Sequence, residues 1–490
     1  MKHVAVIGAG LGGLSTAIRL ARHGYRVTVL EKNDRVGGKV GSLEMKGYRF
    51  DTGPTLLTMP FVLEDLYRDA GTALGEHLTL LPVDPTCRYR YPDGSGLDVF
   101  RDNDRTEAQI AALSPRDAGA LGRFLDHGRR IYDAAAEPFL FTPFVSLRGK
   151  ALLAALRHLP SLLRIDALRT LDASVREYFA DPRLQQLFNR FATYNGSSPF
   201  RAPATLGIIP YVELVLGGWY VAGGMYALVQ SLEHLALEAG VAIRTGCAVR
   251  SALLRQDAAA GVVLESGEEI PADAVVCNAD ALYASRELLG NGAGRRYERA
   301  EPSLSGFVML LGVRQSFPGL AHHNIFFSAD YREEFRRLFD DGMPAGDPTV
   351  YVSVSACSDP SMAPRGCSNL FVLVNTPPVG GGYDWQARSP EYRDVVLRKL
   401  EGMGLEIPAG TIEVEQVITP SDLERRYNAF RGSIYGTSSN GRMAAFLRPP
   451  NRPRTPKRWY YVGGSAHPGG GIPLVLLSGR IVADLVRSDL

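Results

Sequence analysis

This chain lacks one-sided charge. Lysine plus arginine number 54 and aspartate plus glutamate 52, a formal net charge of +2 over 490 residues. That balance excludes a nucleic-acid footprint spread over the whole molecule. Cysteine is scarce: Cys87, Cys247, Cys277, Cys357 and Cys367 are odd in number and show no Cys-x-x-Cys spacing. A disulfide scaffold and a zinc finger are thereby excluded, and buried reduced thiols in a cytoplasmic setting are expected. Long apolar runs are missing too. The longest stretch without a charged residue or histidine, Leu214 to Leu232, is interrupted by Gly217, Gly218, Gly223 and Gly224 and reads as a strand and the start of a helix rather than a membrane span. The apolar start from Val4 to Leu14 carries too many glycines for a signal peptide. Glycine itself is abundant, at 52 residues against a usual share of about 7%, and it is clustered, which marks places where backbone turns sharply or approaches a ligand.

A length of 490 residues implies two or three structural units. Residues 3–7 are short, β-branched and apolar, Leu14 to Arg22 has helical spacing, and Arg26 to Leu30 is a second strand, which makes a βαβ unit. Strand-like pieces follow from Leu78 to Phe100, then helical text from Glu107 to Glu213. After Tyr226 come a helix to about Ala239, strands near Ala242 to Leu253 and Gly261 to Leu264, and the run Ala274 to Asn278. Residues 304–313 and 349–375 are β-rich, and the chain closes with a strand from Trp459 to Val462, a glycine-rich loop and a helix from about Val475 to Val486.

Gly8-Ala9-Gly10-Leu11-Gly12-Gly13 joins the first strand to the first helix, with fingerprint glycines at 8, 10 and 13. The first permits the tight turn, the second lets backbone approach a pyrophosphate, and the third lets the helix pack tightly on the strand. The helix N-terminus adds free N–H groups and positive partial charge. Glu31, at the end of the second strand, is placed to accept hydrogen bonds from ribose hydroxyls and disfavours a 2′-phosphate. Two further Gly-containing loops, Arg35 to Lys39 and Phe50 to Thr55, suit an extended cofactor, and no second strand–GxGxxG–helix unit follows. A single tightly held flavin dinucleotide, FAD, is expected.

On its motifs the chain resembles the bacterial carotenoid (phytoene) desaturase family of FAD-dependent oxidoreductases. They are the fingerprint with Glu31, Phe50 to Met59 (FDTGPTLLTM), Asn195 to Phe200 (NGSSPF), His322 to Phe327 (HHNIFF) and Val462 to Pro473 (VGGSAHPGGGIP). It departs from the pattern at Lys39, where relatives often carry Arg, and at Arg458, where the signature usually begins with Asn or Gly. Gly37-Gly38-Lys39 with Thr55-Leu56-Leu57-Thr58-Met59 is closer to the hydroxycarotenoid 3,4-desaturase branch than to the lycopene-forming one.

The resemblance implies an α/β fold. A Rossmann-type FAD-binding domain, glutathione-reductase/amine-oxidase-like, would come from 1–70, 220–300 and 440–490, interleaved with an α+β substrate domain from 71–219 and 301–439. Expected cofactor residues beyond Gly8, Gly10, Leu11, Gly12, Gly13 and Glu31 are Lys39, Gly53, Thr55, Val249, Ser465, Gly471 and Ile472. The implied reaction is desaturation of a long apolar polyene, preferably 3,4-desaturation of a 1-hydroxycarotenoid, with hydride passing to the flavin and a proton lost from the neighbouring carbon. Oxygen or a membrane quinone would accept the electrons. The alternatives are phytoene desaturation, a redox-neutral polyene isomerase, a flavin amine oxidase, and a flavin-free prenyl-lipid binder of the GDP-dissociation-inhibitor type.

Three residues are candidates for catalysis: His467 in the signature loop, Glu213 as a lone carboxylate in apolar text, and Arg148. Each has a plainer reading, His467 and Glu213 as internally hydrogen-bonded groups and Arg148 as part of a solvated helical face. His322-His323 is a tempting metal pair, but no third ligand is spaced to join it and neighbours on a strand point to opposite faces. No metal is expected.

From Leu147 to Leu171 the basic residues Arg148, Lys150, Arg157, His158, Arg164 and Arg169 face only Asp166 as an acid, amid leucine and alanine. This pattern fits a basic amphipathic hairpin lying on an anionic membrane surface, and a peripheral association of a cytoplasmic protein with the cell membrane. Replacing Arg148, Lys150, Arg157 and Arg164 by Glu is expected to release the protein from anionic liposomes, since each basic residue near the surface contributes about 1 kcal/mol. FAD content should not change. Sedimentation equal to that of the parent protein would assign the segment to an ordinary solvated hairpin.

Overall fold

The structure, a computed structural model, describes residues 1–142, 165–290, 300–441 and 448–490. Strand β1 (His3–Ile7), helix α1 (Leu11–Arg22) and strand β2 (Arg26–Leu30) form the expected βαβ unit of a parallel sheet. Its five strands run in the spatial order Ala242–Arg244, β2, β1, Ala274–Cys277, Trp459–Tyr461, all parallel. Alternate residues divide the two faces. Val4, Val6, Val27, Val29 and Val276 join a core with α1, the helix Tyr226–Glu238 and the C-terminal helix Ile472–Asp489. Ile7, Leu30, Val275 and Cys277 pack instead on a three-stranded antiparallel sheet, Val249–Arg255, Ala258–Leu264 and Glu269–Pro271. Burial on both faces explains why these strands are written as unbroken apolar runs.

A seven-stranded sheet forms the second unit, ordered Ile412–Ile418, Ser305–Val313, Ser368–Thr376, Val350–Ser353, His323–Phe326, Cys87–Arg90, Gly96–Val99. The helix Trp385–Gly402 covers one face through Phe307, Met309 and Leu311. Val308, Leu310 and Phe371 on the other face pack on Tyr48 and Phe50, and Tyr89, Ile325 and Tyr351 pack on a helical layer that includes Ala120–Ala135, Pro182–Asn189 and Ile208–Val215. A small sheet of Leu57–Thr58, Gly218–Val221 and Leu80–Pro82 lies between.

Two elements differ from the sequence expectation. The continuous β text of 242–253 is two strands in two sheets, because Gly246 adopts φ +64° and the Gly246 and Cys247 N–H groups bind the carbonyls of Asn33 and Glu31. The last helix starts at Ile472 rather than near Val475, since Pro473 is tolerated in a first turn that has no use for its N–H. Residues 147–164 of the expected docking segment, Arg148 among them, lie outside the described residues. At its described end Arg169 is paired with Asp166 (2.8 Å) and with Glu177.

α1 and the C-terminal helix touch backbone to backbone: a Cβ on Gly479 would lie 2.5 Å from Ser15 Oγ and 3.1 Å from the Gly12 carbonyl. Gly479→Ala is therefore expected to destabilise by about 1–3 kcal/mol through overpacking. Gly122→Ala, at an exposed position in the first turn of Ala120–Ala135 with nothing within 4 Å, should instead stabilise by about 0.4–1 kcal/mol. Thermal unfolding of the two variants should shift in opposite directions.

Candidate functional site

Four glycine loops converge on the N-terminus of α1. Gly8 turns out of β1 at φ +89°, a conformation that favours glycine. A Cβ on Gly13 would stand 2.2 Å from the Gly8 carbonyl, so the helix is pressed on the strand as the fingerprint requires. The second loop lies on the first, with Gly37 N–H donating to the Ala9 carbonyl (2.8 Å) and a Gly38 Cβ 3.3 Å from Gly10 Cα. The third loop touches the second, a Gly53 Cβ falling 1.9 Å from the Lys39 carbonyl. The fourth brings Gly463 Cα to 3.2 Å from a Cβ on Gly12.

Two helices begin here without a side-chain cap or an acidic residue in the first turn: α1 after Gly10, and the C-terminal helix after Gly471. Their first-turn N–H groups and positive dipole ends suit a phosphate. Glu31 is buried and accepts from Ala9 N–H (2.8 Å) and from Asn33 N–H (3.0 Å) and Nδ2 (2.7 Å). A carboxylate offers about four lone-pair sites, so one acceptor position remains for a ribose hydroxyl.

The Lys39 ammonium is buried and donates to the carbonyls of Ile434 (2.6 Å) and Ser433 (3.3 Å), which leaves one of its three donors. Burial lowers its pKa, and nearby Asp280 offsets part of that. Thr55 shares a 2.5 Å hydrogen bond with the Tyr351 hydroxyl, and Ser465 Oγ accepts from Ala281 N–H (2.9 Å). Val249 sits in the core beneath the ends of β1 and β2. These features fit FAD: two uncapped helix ends for the pyrophosphate, a carboxylate for the ribose, and walls of bare backbone for close approach.

His467 Nε2 lies 3.1 Å from the Thr142 carbonyl, and its own carbonyl accepts from Asn451 Nδ2 and Ser478 Oγ, both at 2.8 Å. Burial pushes the imidazole down to about 4, so it is neutral at pH 7. The residue pins the signature loop. Glu213 is buried, accepts from the Tyr194 hydroxyl (2.5 Å) and stands 3.8 Å from Arg190, which also donates to the Tyr89 hydroxyl (2.8 Å). Burial raises the pKa of Glu213, while Arg190 and Tyr194 oppose that.

The sequence reading missed two residues. Asn278 donates to the Val462 carbonyl (3.0 Å), and its amide is what a Cβ on Gly10, Gly12 or Gly463 would strike, at 2.7, 2.9 and 2.4 Å. Its position directly after a parallel strand beside β1, at the carboxyl end where ligands bind, was the available signal. Arg448 is buried and donates to Asn195 Oδ1 (2.6 Å) and to the carbonyls of Tyr435 and Gly464 (3.1 Å each), tying the NGSSPF segment to the signature loop. No sequence signal marked it. The two histidines also correct an expectation. The strand begins at His323, so His322 is not subject to its alternation, and the two rings lie 4.4 Å apart.

A family model described as flavin-containing amine oxidoreductase matches residues 11–487. The chain belongs to that family. A 4,4'-diapolycopene oxygenase of Methylomonas sp is 38% identical, covering 100% of this chain and 99% of the relative. A 1-hydroxycarotenoid 3,4-desaturase of Flavobacterium sp. (strain P99-3) is 37% identical, with 99% of each covered. An oxidoreductase structure from Methanosarcina mazei superposes with a TM-score of 0.68 at 17% identity, covering 98% of this chain and 100% of that one, a likeness of fold. Within its family the chain is an FAD oxidoreductase of the carotenoid-modifying desaturase type.

Glu31→Gln replaces an acceptor with an amide whose N–H₂ confronts N–H donors. Loss of a charged hydrogen bond of about 1.5–3 kcal/mol should weaken FAD binding roughly tenfold to a hundredfold. Titration of the apoprotein followed by flavin fluorescence measures this directly.

Proposed function

We propose that this protein desaturates a long polyene, introducing the 3,4 double bond of a 1-hydroxycarotenoid. The observation that carries the proposal is an apolar wall beside the glycine cradle. Leu56, Phe61, Phe141, Leu216, Trp219 and Val475 are large, only partly buried, and packed on the same core. Leu56 follows the third glycine loop, Val475 lies in the first turn of the C-terminal helix, and Phe141 precedes the Thr142 carbonyl that faces His467. Side chains of this type hold a hydrocarbon by contact area alone, and Phe61 and Phe141 stand 6.5 Å apart as a ring pair.

Bound FAD supplies the two-electron oxidation of the carbon–carbon bond. The chain orients the polyene and keeps water out. Lys39 and Arg448 brace the loops through carbonyls, and Glu213 offsets the charge of buried Arg190. Oxygen or a membrane quinone takes the electrons onward, and residues 147–171 collect the polyene at an anionic membrane surface.

The full-length identity of 37% to a 1-hydroxycarotenoid 3,4-desaturase supports this reading, and the 38% identity to a 4,4'-diapolycopene oxygenase supports a second, oxygenation of a polyene. Expression with pathways that accumulate either a 1-hydroxycarotenoid or phytoene, followed by mass spectrometry of the pigments, separates them. Loss of two hydrogens from the hydroxycarotenoid, with phytoene unchanged, is the expected result. Gain of an oxygen would assign the oxygenase reaction, and conversion of phytoene to lycopene would overturn the 3,4-desaturase reading.

A further inference from the structure

His322 and His323 are both 3% exposed, and the Nε2 atom of each is buried without a hydrogen-bond partner among the described residues. Their other nitrogens are held. His322 Nδ1 lies 2.7 Å from Ser358 Oγ, and His323 Nδ1 lies 2.7 Å from the Tyr351 hydroxyl, which bonds in turn to Thr55. The Tyr220 ring stands edge-on to His322 at 4.6 Å, and its hydroxyl is committed to Asp51 (2.8 Å). His323 shares its sheet face with Ile325 and Tyr351, the face turned toward the helical layer.

The pair therefore sits where three parts of the chain meet: the segment after the third glycine loop, the seven-stranded sheet, and the small sheet carrying Tyr220. An unmet buried nitrogen is destabilising, so two side by side call for a polar group that arrives with a ligand. Burial pushes His322 down to about 4 and His323 well below its ordinary value, with Arg190 adding to the latter. Both imidazoles are neutral at pH 7. A neutral imidazole offers one donor and one acceptor, which matches an uncharged oxygen and gives no counter-charge to a carboxylate or phosphate.

Resting on the desaturase reading, we propose that the Nε2 atoms of His322 and His323 hydrogen-bond the hydroxyl at the polar end of the polyene and so decide which end of the substrate enters. They are specificity residues. Recognition of a substrate hydroxyl by buried partners strongly disfavours an analogue that lacks it, because those partners are then left unpaired.

The test exploits side-chain geometry. Asn places a polar atom near the position of Nδ1 and has nothing at Nε2, whereas Gln reaches the Nε2 position. For wild type, kcat/KM for a 1-hydroxycarotenoid should exceed that for the same polyene without the hydroxyl by about tenfold or more. His322→Asn/His323→Asn should erase this preference by raising KM for the hydroxylated substrate, with kcat and FAD content unchanged. His322→Gln/His323→Gln should keep part of it. Should a double variant lose FAD, the single variants carry the same comparison. A preference that survives in the Asn variants, or an equal loss for both substrates in Asn and Gln variants alike, overturns the assignment. A wild-type enzyme that turns over neither substrate overturns the desaturase reading itself and the assignment with it, a result distinct from either.

Discussion

How near two backbones can come at the start of α1 governs the rest of this molecule. With a Cβ at Gly13 falling 2.2 Å from the Gly8 carbonyl and one at Gly12 only 3.2 Å from Gly463 Cα, the first helix, the first strand and the signature loop form one continuous wall of main chain. Asn278 fills the space that three of these glycines vacate and binds the Val462 carbonyl, which couples the fingerprint to the far end of the chain. The glycines therefore serve two ends at once. They leave backbone bare for a cofactor, and they let the parallel sheet close with its last strand in register.

The second unit hangs on this wall through polar contacts. Lys39 reaches the Ile434 carbonyl and Arg448 joins Asn195 to Gly464, while within the first unit Asp51 binds both the Met225 N–H (2.8 Å) and Tyr220, the residue whose ring meets His322. Burial pushes Asp51 up to about 6 in spite of those two hydrogen bonds. Each such group would be a liability if left unmet, so the joint between the units holds only in one relative placement. Hydrocarbon contact cannot specify an arrangement so narrowly.

The sequence made legible what local rules encode. β1, α1 and β2 announce themselves by period and by glycine spacing, and Glu31 by its place after β2. The seven-stranded sheet was visible as β-rich text in 304–313 and 349–375, yet its order was not, since pairing across distant stretches leaves no local mark. The strand text of 242–253 hid a switch between two sheets, because the deciding contacts, Gly246 to Asn33 and Cys247 to Glu31, are tertiary. Arg448 was invisible for the same reason: its partners are carbonyls, and any residue can supply a carbonyl. The motif glycines were easy to read because a missing side chain has few other uses, whereas His322 was misjudged through a strand boundary off by one residue.

The order of the parallel sheet has a consequence for how the protein comes to exist. Its central strand is made first, and the strand and long helix that complete it are Trp459–Tyr461 and Ile472–Asp489. At about 5–20 residues per second, the ribosome needs on the order of tens of seconds to bridge that interval. Through all of it the apolar face of α1 that will meet the C-terminal helix has no partner. The strands from Ser305 to Ile418 can pair meanwhile, being contiguous in the chain. The nucleotide cradle is thus assembled only once Trp459–Tyr461 and Ile472–Asp489 have been made, long after the fingerprint that begins it.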